Sequence, residues 1–175
     1  MIFTELKLKG AYVLDLEKRG DNRGFFARTF CANEFAELKL NTQFVQGNMS
    51  HNAFKNTLRG MHYQTDGAEE VKLVRCTKGA LLDVILDIRK DSPTFGQYEA
   101  IEISEDNGRQ IYIPKGFAHG FLTLQNNSEI AYLVSEFYTP GKEAGIRWDD
   151  PAFKIDWPIK DPILSDKDKV YPDYK

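Results

Sequence analysis

Arg59 and His62 stand three apart in Leu58-Arg59-Gly60-Met61-His62-Tyr63-Gln64, and His119 follows a Pro-x-Gly-x-x-His arrangement in Pro114-Lys115-Gly116-Phe117-Ala118-His119-Gly120-Phe121. The chain has only three histidines, so two of them fall in its two most distinctive segments. Imidazole titrates near neutrality, and glycines beside it let backbone and ligand approach closely; two such rings on one cavity would provide base catalysis. Arg59 and Lys72, close in sequence to His62, direct that cavity toward an anionic ligand. Tyr132 and Tyr138 are candidate acids, although a tyrosine in a strand is more often packing. Asp168, in Ser165-Asp166-Lys167-Asp168-Lys169, reads as a solvated charge run unless the tail folds back.

The elements that must carry these groups are short strands separated by polar turns. Apolar and polar residues alternate over Ala11–Leu16, Gly24–Phe30, Phe44–Ser50, Thr57–Tyr63, Val71–Lys78, Ala80–Ile88, Gln97–Ile103, Arg109–Ile113, His119–Leu124 and Glu129–Phe137. Thr77-Lys78-Gly79 punctuates two of these strands, and Asp106-Asn107-Gly108 is a hairpin-type turn signal. Asn33–Leu40 is the clearest helix, with Asn33 as N-cap and Phe35, Ala36 and Leu38 on one side. By alternation His62 shares a face with Gly60 and Gln64, which predicts a polar barrel interior. Ten such strands fit an all-β jelly roll with a ligand-sized interior. The Pro/Asp/Trp-rich stretch from Trp148 to Pro158 predicts a tail packed over the barrel, because free tails rarely carry two tryptophans.

At 175 residues the chain fits one domain, residues 1–175, with one sufficient core. A formal net charge of -3, from 23 basic against 26 acidic side chains, argues against a general nucleic-acid binder. The N-terminal residues lack a leader pattern and no apolar run reaches membrane-spanning length, so a cytoplasmic protein with no membrane partner is expected. Cys31 and Cys76 lack CxxC spacing and read as free, at least half-buried thiols. The segment around His119 resembles the second half-motif of the cupin superfamily. The segment around His62, however, has a single histidine where a metal-binding cupin has His-x-His, which argues against a metal site.

Several blocks, in order over nearly the whole chain, resemble the dTDP-4-dehydrorhamnose 3,5-epimerase family. They include Gly20-Asp21-Asn22-Arg23-Gly24-Phe25-Phe26, Phe44-Val45-Gln46, the Arg59 and His62 block, Lys72-Leu73-Val74-Arg75, Ser92-Pro93-Thr94-Phe95-Gly96, the His119 block and Gly145-Ile146-Arg147-Trp148-Asp149-Asp150-Pro151. The resemblance implies a double-stranded β-helix of the cupin type with a few short helices. It implies a homodimeric isomerase of deoxysugar, capsule or lipopolysaccharide biosynthesis that needs no cofactor and acts on a nucleoside-diphosphate 4-keto sugar. It also implies roles: His62 as base, Asp168 as its orienting carboxylate, Tyr132 as acid on the opposite sugar face, and Lys72 at the enolate oxygen. Arg23 and Arg59 would hold the diphosphate, His119 would line the sugar pocket, and Gln46 and Asn48 would hold the nucleotide. Tyr138, Glu143 and Lys167 match other substrate-facing positions. A ketone at carbon 4 acidifies the hydrogens on carbons 3 and 5, so inversion needs one group to take a proton and another to return it.

Departures from the family fall mainly at the nucleotide end. Arg28 replaces a glutamate, and Gly47-Asn48-Met49-Ser50 replaces Asp-Asn-His-Ser. A donor in place of an acceptor reverses hydrogen-bond polarity, which raises guanine, as on a GDP-4-keto-heptose, as a base instead of thymine. Glu69-Glu70-Val71 stands where relatives often have a glutamine. In a dimer, Arg23 or Arg28 could reach the partner's site. Competing readings are a single-carbon epimerase or ketoisomerase, a non-catalytic sugar-nucleotide-binding jelly roll, and a metal cupin oxygenase.

Overall fold

The computed structural model describes residues 1–174, and its regular structure is almost entirely antiparallel strand. One sheet runs in the order β1 (Ile2–Glu5), β2 (Tyr12–Asp15), β10 (Gln110–Ile113), β7 (Lys72–Lys78), β12 (Ser128–Val134), β5 (Gln46–Asn52). The other runs β13 (Glu143–Gly145), β6 (Leu58–Gln64), β11 (Phe117–Thr123), β8 (Ala80–Asp87), β9 (Tyr98–Ser104). A separate hairpin pairs β3 (Arg19–Asp21) with β4 (Gly24–Phe26). From β5 to β8 every successive strand changes sheet, which wraps the two layers round one interior as the jelly-roll reading requires.

Alternation along the strands sorts the core into layers. Val74, Cys76, Ile111, Ile113 and Ile130 from one sheet meet Leu81, Ile85, Ile103, Phe117 and Phe121 from the other. Each fully buried aliphatic side chain here contributes roughly 1.5–3 kcal/mol relative to exposure. The outer face of the five-stranded sheet presents Leu58, Met61, Val84, Leu86 and Leu122, and Ile146, Phe153 and Trp157 of the tail cover it. Trp157 Nε1 also donates to the Trp148 carbonyl at 2.8 Å, so the indole N–H is not stranded.

Several expectations are corrected. The helix, α1 (Ala32–Glu37), is capped by Cys31, without a side-chain cap bond, and not by Asn33. Only Phe35 is buried in it, packed edge-on to Phe3, Phe30 and Tyr112; Ala36 and Leu38 are exposed. The strand expected over Gly24–Phe30 stops at Phe26. Asp106-Asn107-Gly108 does not close a hairpin: β9 and β10 lie in different sheets, and the turn carries the chain between layers. Four elements, β1, β3, β13 and the four-residue helix α2 (Asp166–Lys169), are too short for periodicity to reveal. Cys31 and Cys76 are free thiols, half-buried and buried respectively.

Candidate active site

Two adjoining cavities open between the sheets and share His62, Lys72 and Tyr132. One, of about 160 Å3, is also bordered by Gln46, Asn48, Glu70, Tyr138 and Glu143. The other, of about 230 Å3, is also bordered by Ser50, Arg59, His119 and Phe121. Strict alternation would put Arg59 and His62 on opposite faces of β6, yet both line the same space. The cause is a register shift against β11 between His119 and Phe121. Gly60, at φ +126°, sits at this irregularity with its backbone pressed on Gly120; a Cβ there would lie 2.6 Å from Gly120 Cα. A glycine on each strand permits the approach that turns arginine and histidine the same way.

His62 Nε2 lies 2.6 Å from Asp168 Oδ1, a contact between residues 106 apart in sequence. Asp168 is held by α2: its backbone N–H donates to Ser165 Oγ at 3.1 Å, and the Ser165 hydroxyl donates to Oδ2 at 2.8 Å. Burial alone would push the Asp168 carboxyl up, but the His62 and Ser165 hydrogen bonds outweigh it and hold the group below the usual range. Asp168 is therefore a carboxylate that accepts Nε2–H, which leaves the Nδ1 lone pair of neutral His62 available as a base. The Tyr171 ring packs edge-on to His62 with centroids 5.8 Å apart.

On the same cavity, Tyr132 is raised above the usual phenol range, chiefly by burial and further by Glu70, with Arg59 opposing. It is a protonated donor at neutral pH. Lys72 Nζ pairs with Glu70 Oε1 at 3.2 Å. His119 Nε2 lies 2.8 Å from Asp83 Oδ2 of β8, both nearly solvent-free, while Asp83 Oδ1 is buried without a protein partner among the described residues. Arg59 Nε donates to Asn52 Oδ1 at 2.7 Å. Glu143 is held below its usual range by Lys167, whose ammonium lies 2.5 Å away, and the Tyr138 hydroxyl also donates to it at 3.3 Å. Gln46 Nε2 donates to Asn48 Oδ1 at 3.1 Å.

Gln46, Asn48, Arg59, His62, Lys72, His119, Tyr132, Tyr138 and Glu143 thus converge, with Asp168 and Lys167 attached through His62 and Glu143. Three residues named from the sequence do not join them. Arg23 is exposed on the β3–β4 hairpin and pairs with Asp21 at 2.6 Å; Arg28 is exposed and pairs with Glu34 at 2.9 Å. Met49 points outward from β5, 67% exposed. Sequence reasoning missed Asp83 and Ser165 as orienting groups, and Tyr63 as a neighbour of the cavity, whereas Gln64 borders it beside His62 as alternation expects. Asp83 could have been found, since it is a carboxylate at an inward position with apolar residues on either side of it in β8. Among the described residues no three His, Cys, Asp or Glu side chains converge as metal ligands, and no helix is long and apolar enough to cross a membrane.

Two sheets closed round a cavity lined by a histidine–carboxylate pair and a protonated phenol define a jelly-roll fold whose interior holds groups able to take and give protons. The family model of dTDP-4-dehydrorhamnose 3,5-epimerase matches residues 5–175, and the chain belongs to that family. A dTDP-4-dehydrorhamnose 3,5-epimerase of Shigella flexneri is 46% identical over 150 residues, covering 85% of this chain and 82% of the relative. The crystal structure of the Bacillus anthracis enzyme with TDP and PPi bound is 40% identical, with a TM-score of 0.96 and coverage of 99% of both chains. The Legionella pneumophila enzyme in complex with dTDP-4-keto-L-rhamnose is also 40% identical, with a TM-score of 0.89, covering 95% of this chain and 89% of that one.

Proposed function

We propose that the protein inverts carbons 3 and 5 of a dTDP-linked 4-keto-6-deoxy sugar through an enolate. The observation that carries this reading is that His62, paired with Asp168, lines one cavity together with Tyr132 and Lys72. His62 Nδ1 takes the proton from the carbon beside the ketone, and the electron pair moves onto the carbonyl oxygen. Lys72 faces that developing charge, where a fixed cation is worth far more than in water. Tyr132 returns a proton to the carbon from the other face, and solvent resets both groups. General acid–base catalysis of this kind contributes about 10²–10⁴-fold. Arg59 supports the diphosphate, His119 the sugar, and Gln46, Asn48, Tyr138, Glu143 and Lys167 the remaining substrate contacts.

A homodimer fits this reading. The β3–β4 hairpin carries exposed Phe25 and Phe26, and Met49 and Leu133 project from the outer face of the six-stranded sheet. A second copy covering these residues would bring Arg23 or Arg28 toward a nucleotide in its partner. The unpaired thiols suit the cytoplasm, a reducing compartment.

Incubation in deuterium oxide with dTDP- and GDP-linked 4-keto sugars, with NMR locating the label, tests the proposal. The expected result is deuterium at carbons 3 and 5 of the dTDP sugar, lost in His62→Ala. Label at one carbon indicates a single-carbon epimerase, preference for the GDP sugar indicates that Arg28 and Met49 redirect the base, and absence of exchange overturns the catalytic reading.

A further inference from the structure

Glu70 stands in the loop before β7, and its side chain and that of Lys72 are each only 12% exposed. Oε1 pairs with the Lys72 ammonium at 3.2 Å, while Oε2 accepts from Gln64 Nε2. Gln64 is itself fixed at both ends of its amide: Oε1 accepts from the Thr139 N–H at 2.9 Å, and Nε2 also donates to the Ala68 carbonyl at 3.1 Å. The carboxylate is thus clamped in the cavity wall, on the same cavity as Tyr132. This is more than a surface pair, because neither ion can be released to water without breaking the Gln64 contact or leaving the other ion in a half-closed cavity.

The geometry points to Glu70 as a positioning residue for the proton-transfer pair: it fixes the direction of the Lys72 ammonium, and its negative charge sets the pH up to which Tyr132 remains a proton donor. The inference rests on the proposed roles of Tyr132 and Lys72. The charges around the Tyr132 phenol come from every element packed about it. They are Lys72 on β7 with Glu70 before it, His62 and Arg59 on β6, His119 on β11 and Glu143 on β13, with the titratable phenols of Tyr63 and Tyr138 on the same cavity; Asp168 and Lys167 of α2 join through His62 and Glu143. Of the carboxylates, Glu143 is neutralised by Lys167 and Asp168 is turned to His62, so Glu70 is the one that balances Lys72. Without it, the uncompensated ammonium and the lost negative charge act in the same direction, favouring tyrosinate.

The test uses Glu70→Gln, which keeps the shape and can still accept from Gln64, and Glu70→Asp, which keeps the charge. The readouts are the pH profile of kcat and an ultraviolet difference titration of the Tyr132 phenol, with Tyr132→Phe as the blank. Glu70→Gln is expected to move the alkaline limb and the phenol titration down by about one pH unit. That is the size of one charge acting across ~10 Å at an effective dielectric of about 20. Glu70→Asp is expected to stay with the parent. An unmoved phenol titration in Glu70→Gln, or an equal shift in Glu70→Asp, overturns the inference. Failure of the underlying reading is separately visible: Tyr132→Phe would then keep its turnover, whereas the phenol titration reports on Glu70 regardless of turnover.

Discussion

Asp168→Asn removes one charge and little else. The carboxamide is isosteric; its oxygen can still accept His62 Nε2–H, and the Ser165 hydroxyl need only rotate to accept from the new NH2 group. What disappears is the anion that stabilises the imidazolium formed when the proton leaves the sugar. The 2.6 Å contact puts the charge centres roughly 4 Å apart, which at an effective dielectric of about 20 amounts to about 4 kcal/mol, or a loss of ~10³-fold in kcat. KM is expected to stay near the parent value, because Asp168 is bonded to His62 and borders neither cavity. The assay is exchange of the sugar's carbon-bound hydrogens into deuterium oxide, followed by NMR and paired with a thermal melt. If the folded variant loses less than about tenfold, ~1.4 kcal/mol, then His62 does not work as a charge-supported base and the reasoning fails.

Other expectations follow from the same structure. Tyr132→Phe should lose about 10²–10⁴-fold in conversion while carbon-bound hydrogen still exchanges with solvent, which NMR resolves. Gly145→Ala would place a Cβ 2.2 Å from the Tyr171 ring, and should lower the melting temperature and turnover together; overpacking of this kind costs about 1–3 kcal/mol. Burial alone would raise the fully buried Asp87, but hydrogen bonds from Arg89, Ser92 and Thr94 outweigh it and hold the carboxyl at about 2, below its ordinary 3.8. A depressed carboxyl contributes stability that is present above pH 3.8 and is lost as pH falls through about 2. The contribution is about 2 kcal/mol, and acid denaturation of Asp87→Asn against the parent would reveal it.

Much of this was legible in the chain. Alternating apolar residues announce most of the strands in the two sheets, because a two-residue period is a direct print of a half-buried strand. The positions of His62, Lys72 and Tyr132 follow from the motifs around them. What stayed hidden has physical causes. Arg59 faces His62 only because β6 slips its register against β11, and that depends on backbone-to-backbone contact between Gly60 and Gly120, far apart in sequence. Asp168 looked like a solvated charge because its burial depends on a tail docking onto β6. Asp106-Asn107-Gly108 favours a tight turn without specifying which sheet the next strand enters. Arg23 and Arg28 lie outside the cavity of their own chain, a location no local pattern could reveal.

The separation of His62 from Asp168 along the chain bears on how activity returns after denaturation. A four-residue helix has no stability of its own, so the carboxylate can take its place only once β6 offers it a histidine and Gly145 of β13 leaves room for the Tyr171 ring that follows the helix. Strand content should therefore reappear ahead of turnover during refolding, with a lag set by docking of this last segment. Circular dichroism and activity followed from the same dilution should trace two curves, the second trailing the first.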